Sequence, residues 1–288
     1  FDAQALAGLP FAQEDVEDVY PLTPTQEGMF FHAMEAPGTG LYVNQLGVDL
    51  SGVDAERLAR AWSAMVQRHA MLRTAFVWQA GMQRPLQVVL RQATAKFVQH
   101  DWRGLDDAVE RADRLGREEL RRETDWMAPP LVRIHLIRIS DTGFRLLWTQ
   151  HHILTDGWSD SRLWGEWLQS YAGEQLPAQP PAYGDFLRWL QRQDAEAAKA
   201  FWQGELAGLE GPVLLADPQQ HTGTDGYAKL FTRLDAQRTS ALVGLAQRER
   251  VTMNTLVQAV WSLVLQRQAG SRQVVFGATV AGRPASLE

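Results

Sequence analysis

Cysteine is absent from the 288 residues, which excludes a disulfide framework, a thiolate nucleophile and any cysteine-based zinc or iron–sulfur site. No stretch approaches the roughly 18 consecutive apolar residues of a membrane-spanning helix, and positions 1–18 show no basic segment leading into an apolar core. Neither a membrane anchor nor an export signal is visible, and a reducing cytoplasm is the simplest home. Basic clusters are missing too: lysine is scarce, arginine is dispersed, and the formal net charge is −6. Phosphate backbones are gripped by clustered Lys and Arg, so nucleic acid is not an expected partner. Internal repeats and low-complexity tracts are likewise absent.

What is present suits a globular protein of one large domain or two lobes, with 45% hydrophobic and 22% charged residues. Of the eleven tryptophans, those at helical spacing, Trp164 and Trp167, read as core packing. Thr23, followed by Pro24 and Glu27, marks a helix start. A strand is predicted over 42–50, then a helix over 54–68 with Asp54 as its cap and Leu58, Ala61, Trp62, Met65 and Val66 as its apolar stripe. Strands at 73–79 and 86–90 precede a charged helix over 105–122. Segments 131–139 and 144–151 flank Ser140-Asp141-Thr142-Gly143, a hairpin signal.

Pro177, Pro180 and Pro181 make 173–182 the expected linker, dividing an N-terminal lobe (1–172) from a partial C-terminal lobe (183–288). Past it, strands are predicted at 228–234 and 274–280 around helices at 236–247 and 252–268. The last strand has no capping element before Glu288, so the second lobe is expected to be incomplete.

The richest stretch is His151-His152-Ile153-Leu154-Thr155-Asp156-Gly157, with Trp158 and Ser159 after it. Strand alternation puts Leu146, Trp148, Gln150 and His152 on one face and Thr149 and His151 on the other, so a given cavity receives one imidazole. Helical spacing resumes after Gly157, which places the histidines at a strand-to-helix turn. Three readings stand at this point. The pair is buried and hydrogen-bonded, or it ligates a metal, or one imidazole serves as a general base near neutral pH. No Cys or clustered Glu lies nearby to complete a metal shell.

Taken together, the motifs resemble those of condensation domains of nonribosomal peptide synthetases, with the chloramphenicol acetyltransferase-like fold. Tyr20-Pro21-Leu22-Thr23-Pro24-Thr25-Gln26-Glu27-Gly28-Met29 resembles the family's first motif and Arg68-His69-Ala70-Met71-Leu72-Arg73-Thr74-Ala75-Phe76 the second. Residues 150–159 match the active-site motif, Tyr183-Gly184-Asp185-Phe186 resembles the fourth, and 277–284 resembles the approach to the fifth. The resemblance implies an α/β two-lobe sandwich of mixed, mostly antiparallel sheets with helices, and a tunnel between the lobes that meets at His152. Its implied substrates are thioesters on the phosphopantetheine of upstream donor and downstream acceptor carrier proteins, beside an adenylation domain. The domain itself would bind no cofactor, and would be a monomeric part of a module.

By the same resemblance His151, His152, Asp156 and Gly157 are the catalytic set. A free α-amine has a pKa of about 7.7 to 8.0, so it needs little help to lose its proton. Base catalysis contributes about 10²- to 10⁴-fold, whereas orientation supplies effective molarities of roughly 10⁵ to 10⁸ M. His152 is therefore expected to orient the amine first and take its proton second. Asp156 is expected to be structural, ion-paired with Arg73. Gly157 would leave backbone room and offer its N–H to the oxyanion. Trp158 and Ser159 would line the tunnel, with Ser159 acting as a helix cap rather than a catalyst.

Two other readings share the motif. An epimerisation domain of the same assembly line is expected to read Asp-Gly-Val-Ser-Trp where Asp-Gly-Trp-Ser stands here. A noncatalytic docking relative would show a degraded histidine motif, and this one is intact. The form Leu-Thr-Pro-Thr-Gln-Glu-Gly-Met resembles domains that accept a D-configured donor. Half the tunnel wall would lie beyond Glu288, so the 288 residues alone are expected to be inactive.

Overall fold

The computed structural model describes residues 8–79, 82–179, 181–209, 211, 230–280 and 282. Its strands are β1 (Val16–Pro21), β2 (Val43–Ser51), β3 (Thr74–Val77), β4 (Leu86–Leu90), β5 (Phe97–Asp101), β6 (Val132–Arg138) and β7 (Gly143–His151). The helices are α1 (Pro24–Glu35), α2 (Ala55–Arg68), α3 (Ala108–Arg121), α4 (Gly157–Ala172), α5 (Tyr183–Gln191), α6 (Ala195–Glu205), α7 (Ala236–Glu249) and α8 (Met253–Ala269). One sheet has the order β1-β4-β3 and the other β2-β7-β6-β5. Among the described residues only the β5–β6 pair is parallel. This is the mixed, mostly antiparallel α/β arrangement expected.

Local chemistry explains the boundaries. Thr23 caps α1 in a reciprocal box, its side chain accepting the Gln26 N–H while the Gln26 side chain accepts the Thr23 N–H. Asp54 caps α2 through the Arg57 N–H at 2.9 Å. Between β6 and β7, the Ser140 Oγ accepts the Gly143 N–H at 2.8 Å, closing the hairpin.

The strand β7 alternates as its pattern requires. Leu146 and Trp148 pack with Leu58, Trp62, Met65 and Trp167 of α2 and α4, while Leu147 turns the other way, onto Ala112 of α3. The Trp62 and Trp148 rings meet edge to face at 4.9 Å, and Trp148 and Trp164 lie 4.7 Å apart. Trp167, fully buried, donates its Nε1–H to the Leu58 carbonyl at 3.2 Å. Trp164 and Trp167 of α4 thus pack with the core and fix the helix against the sheet that carries the histidines.

Two compact units result, the first running to Gln193 and the second Asp194–Val280. The expected break at 173–182 therefore falls early. Arg68 Nη2 donates to the Pro177 and Ala178 carbonyls at 2.8 and 3.0 Å, so this proline-rich segment is fastened down. Helix α5 follows into the first unit, where the Tyr183 ring meets Tyr20 edge to face at 6.5 Å. Strand signals past α6 are not realised. Residues 274–280 and 230–234 form no strand, and 228–229 lie outside the described residues. An apolar run becomes a strand only where a neighbour supplies a ladder, and no described strand lies in the second unit. Conversely, β1 and β5 have no counterpart among the predicted strands; β5 is short and largely polar, with little alternation to reveal it.

Candidate active site

The histidine pair sits where β7 ends and α4 begins. His151 is the last strand residue, paired with Val43, and its ring is buried edge to face against Trp126 at 4.7 Å. Its Nδ1 accepts the Ile153 N–H at 3.2 Å. Nε2 is buried and has no partner among the described residues. Burial, then the nearby charges of His152 and Arg133, push the imidazole down to about 4. His151 is accordingly neutral at pH 7, a packed and tautomer-fixed side chain.

His152 lies in the turn just past the strand and is only half-buried. Its N–H donates to the Tyr42 carbonyl at 2.7 Å, and its Nδ1 is buried with no partner among the described residues. Of the two imidazoles it is the one retaining exposure. Nearby in the sequence, Gln150 Nε2 donates to both carboxylate oxygens of Asp160 at 2.8 Å. These two residues, with Asn44, Leu46 and Trp164, line an open cavity of about 360 Å³. No group of three or more His, Cys, Asp or Glu is placed to hold a metal among the described residues.

Asp156 is the N-cap of α4. One carboxylate oxygen accepts both the Ser159 N–H at 2.8 Å and the Ser159 hydroxyl at 2.7 Å. The expected assignment of the cap to Ser159 is thus corrected: Asp156 caps, and Ser159 supplies the donors from the third helical position. Gly157 opens the helix, and no atom of the described residues lies within 4 Å of where its Cβ would stand. Trp158 is 76% exposed. Replacing Asp156 by alanine is expected to remove at least about 1 kcal/mol, the usual worth of a cap; urea denaturation of the two proteins checks this.

The expected ion pair between Asp156 and Arg73 is also corrected. Arg73, 5% exposed, donates from Nη1 to the Glu17 carboxylate and the Leu90 carbonyl. It stands just ahead of β3, and the order β1-β4-β3 brings the end of β4 and the flank of β1 within its reach. Arg73 ties β1 to β4 in that sheet.

The contact between the second motif and the active-site helix is made by other residues. Glu166 of α4, 4% exposed, accepts from Arg68 Nε at 2.7 Å and lies 3.0 Å from His69 Nε2. Burial, against the attraction of Glu166, holds the His69 imidazole below its usual value. Sequence reasoning missed this cluster. The signal was there in Glu166 itself, a carboxylate beside Trp167 between the apolar positions Leu163 and Trp167 of one helix face, where a charge demands a partner.

The His151 burial has a thermodynamic signature. Its folded pKa of about 4 lies below the ordinary value of 6.5, so between these values the unfolded chain binds more protons and stability falls as pH drops. Nothing is lost above pH 6.5; about 3 kcal/mol is lost by pH 4, at about 1.4 kcal/mol per pH unit. Denaturation midpoints from pH 7 to 4 are expected to fall more steeply for the native sequence than for His151→Phe. Parallel curves would show that the imidazole is not desolvated.

The condensation-domain family model matches residues 16–288. The chain belongs to the condensation-domain family. It is 36% identical to a linear gramicidin synthase of Brevibacillus parabrevis, over 99% of this chain and 4% of that protein. With bacitracin synthase 3 of Bacillus licheniformis it shares 33%, over 95% of this chain and 4% of the relative. The chain thus spans a small fraction of the curated relatives it matches.

Among solved structures, the EpoB NRPS cyclization-docking bidomain from Sorangium cellulosum superposes with a TM-score of 0.74 at 24% identity, covering 92% of this chain and 55% of that one. The first condensation domain of the calcium-dependent antibiotic synthetase, in complex with a substrate analogue, gives 0.67 at 21%, covering 91% and 66%. The fold is the chloramphenicol acetyltransferase-like fold expected.

Proposed function

We propose that this domain forms an amide bond between two carrier-bound thioesters in a nonribosomal peptide assembly line. The observation that carries the reading is the division of labour in the histidine pair, with His151 buried and neutral and His152 half-exposed and held at its backbone. The names of the relatives, synthases of linear gramicidin and of bacitracin, support it. The acceptor amine attacks the donor thioester carbonyl and forms a tetrahedral intermediate. As this collapses the C–S bond breaks, and the phosphopantetheine thiol departs with the proton given up by the amine. His152 hydrogen-bonds the amine, orients it and relays that proton. The Gly157 N–H, first in α4, faces the oxyanion where the helix dipole favours negative charge.

The partners are an upstream donor carrier protein, a downstream acceptor carrier protein and a neighbouring adenylation domain. No bound cofactor is required, the phosphopantetheine arms arriving with the substrates. The setting is the cytoplasm, and no described helix is long and apolar enough to cross a membrane. Trp158 and Ser159 border the tunnel from the first turn of α4, with the Ser159 hydroxyl given to the Asp156 cap.

The test is incubation of the synthetase carrying this domain with loaded donor and acceptor carriers in D₂O. An amide product is expected. Deuterium entering the donor α-carbon without amide would make it an epimerisation domain, and neither product would leave a docking role. A second expectation follows from the empty space at Gly157. Gly157→Ala should keep or raise stability, by up to about 1 kcal/mol on helix propensity, yet lower amide formation by at least about tenfold if substrate occupies that space. Equal turnover in that variant would show that the space is idle.

A further inference from the structure

Tyr42 has φ +58°, one of two non-glycine residues with positive φ among the described residues. For a bulky side chain this region costs of order 1 to 3 kcal/mol, and it persists only where the surroundings impose it. Tyr42 is the third residue of a tight turn in which the Val43 N–H donates to the Gly40 carbonyl at 3.0 Å. Glycine or asparagine would normally stand there.

The turn is wedged against the end of α3. A Cβ at Gly40 would come within 2.6 Å of the Leu120 carbonyl oxygen, and one at Gly38 would stand 3.5 Å from the Arg121 carbonyl oxygen. Helix α3 is tied in turn to β6 through Glu119 and Arg133. The ladder of β2 on β7 is regular from Ser51↔Gly143 to Val43↔His151. One residue further, the left-handed turn ends the strand, and the Tyr42 carbonyl accepts the His152 N–H at 2.7 Å. The Tyr42 ring meanwhile stands 6.3 Å from that of His151, at 61°. Both histidines are therefore touched by a single strained residue, one through its carbonyl and the other through its ring.

We propose that Tyr42 is a positioning residue for His152: its left-handed backbone, imposed by the seat of the 38–42 turn on α3, clamps the His152 amide and so fixes the point from which the imidazole swings. This rests on the peptide-bond-forming reading of His152, and supplies the rigid support that such a side chain needs when it lies just outside a strand. A displacement of about 1 Å at a reacting group costs on the order of 100-fold in rate, so a fixed backbone here matters more than the strain it stores.

The experiment compares Tyr42→Asn, which favours the left-handed region, with Tyr42→Val, which opposes it. Hydrogen exchange of the His152 amide, read by NMR without substrate, is expected to match the native protein in the asparagine variant and to speed up by at least about tenfold in the valine variant. Amide formation should follow, within about threefold of native for asparagine and at least about tenfold lower for valine, with KM for both carriers little changed. Tyr42→Ala carries the same expectation in milder form where valine prevents folding. A folded valine or alanine variant with native amide protection and native turnover would overturn the role, as would a folded asparagine variant that loses both. If the native synthetase itself makes no amide, the proposed reaction falls, while the exchange comparison still decides what Tyr42 does.

Discussion

Changing His152 to alanine in the intact synthetase is expected to lower amide formation about 10²- to 10³-fold while leaving the fold in place. The imidazole is half-buried, and its one buried nitrogen has no partner among the described residues, so its removal leaves no group newly unpaired and should shift the denaturation midpoint little. The rate loss combines a proton acceptor, worth about 10²- to 10⁴-fold, with the loss of a hydrogen bond that aligns the amine. Because an α-amine with a pKa of about 7.7 to 8.0 is already largely unprotonated at about pH 9, raising the pH recovers the base contribution and not the orientation. His152→Ala should therefore remain defective at that pH. Full recovery there would make His152 a base only, and native rates at neutral pH would remove it from the reaction altogether.

His151 is expected to respond differently, since its work is packing. Its ring is held by Trp126, Tyr42 and the Ile153 N–H, so substitutions there should act through stability and acid sensitivity. The contrast between adjacent residues is visible in the sequence only as strand parity. The pattern of β7 is legible because one strand packs Leu146 and Trp148 toward α2 and α4 and Leu147 toward α3, and period two is a strong signal when both faces are buried by different elements. Helix starts are legible for a similar reason: Thr23 and Asp54 each satisfy a backbone donor within three residues, an interaction that is local by construction.

Pairings across the fold are not legible in this way. Nothing in the spacing of Arg73 distinguishes Glu17 on β1 from Asp156 at the head of α4; only the order β1-β4-β3 does. The same holds for Tyr42, which reads as an ordinary strand residue until its φ and the carbonyl it offers His152 are seen. The two strands predicted past α6 fail for the complementary reason, since a strand is a property of a pair and no described strand in that unit offers one a partner.

The largest loss of stability is expected at Glu166. Its carboxylate is almost fully enclosed and binds Arg68 at 2.7 Å and His69 at 3.0 Å, with Arg162 at 3.9 Å. Glu166→Ala leaves the Arg68 guanidinium, 16% exposed, without its carboxylate, and removing one member of a buried pair costs about 3 to 5 kcal/mol. The pair itself need not be strongly stabilising, because both charges lost water to form it. The double change Glu166→Met with Arg68→Met should accordingly recover much of the loss, and a double-mutant cycle by chemical denaturation measures how much. Because Arg68 also holds the Pro177 and Ala178 carbonyls, the single Glu166 variant is expected to loosen the segment after α4, seen as faster proteolysis near 174–179. The helix that Glu166 anchors begins at Asp156 and Gly157, so loosening its middle should blur the turn that presents His152, and amide formation should fall in step with stability. A Glu166→Ala protein as stable as the native one would mean that Arg68 finds a second carboxylate, and the motif shared by Arg68 and His69 would then need a purpose other than anchoring α4.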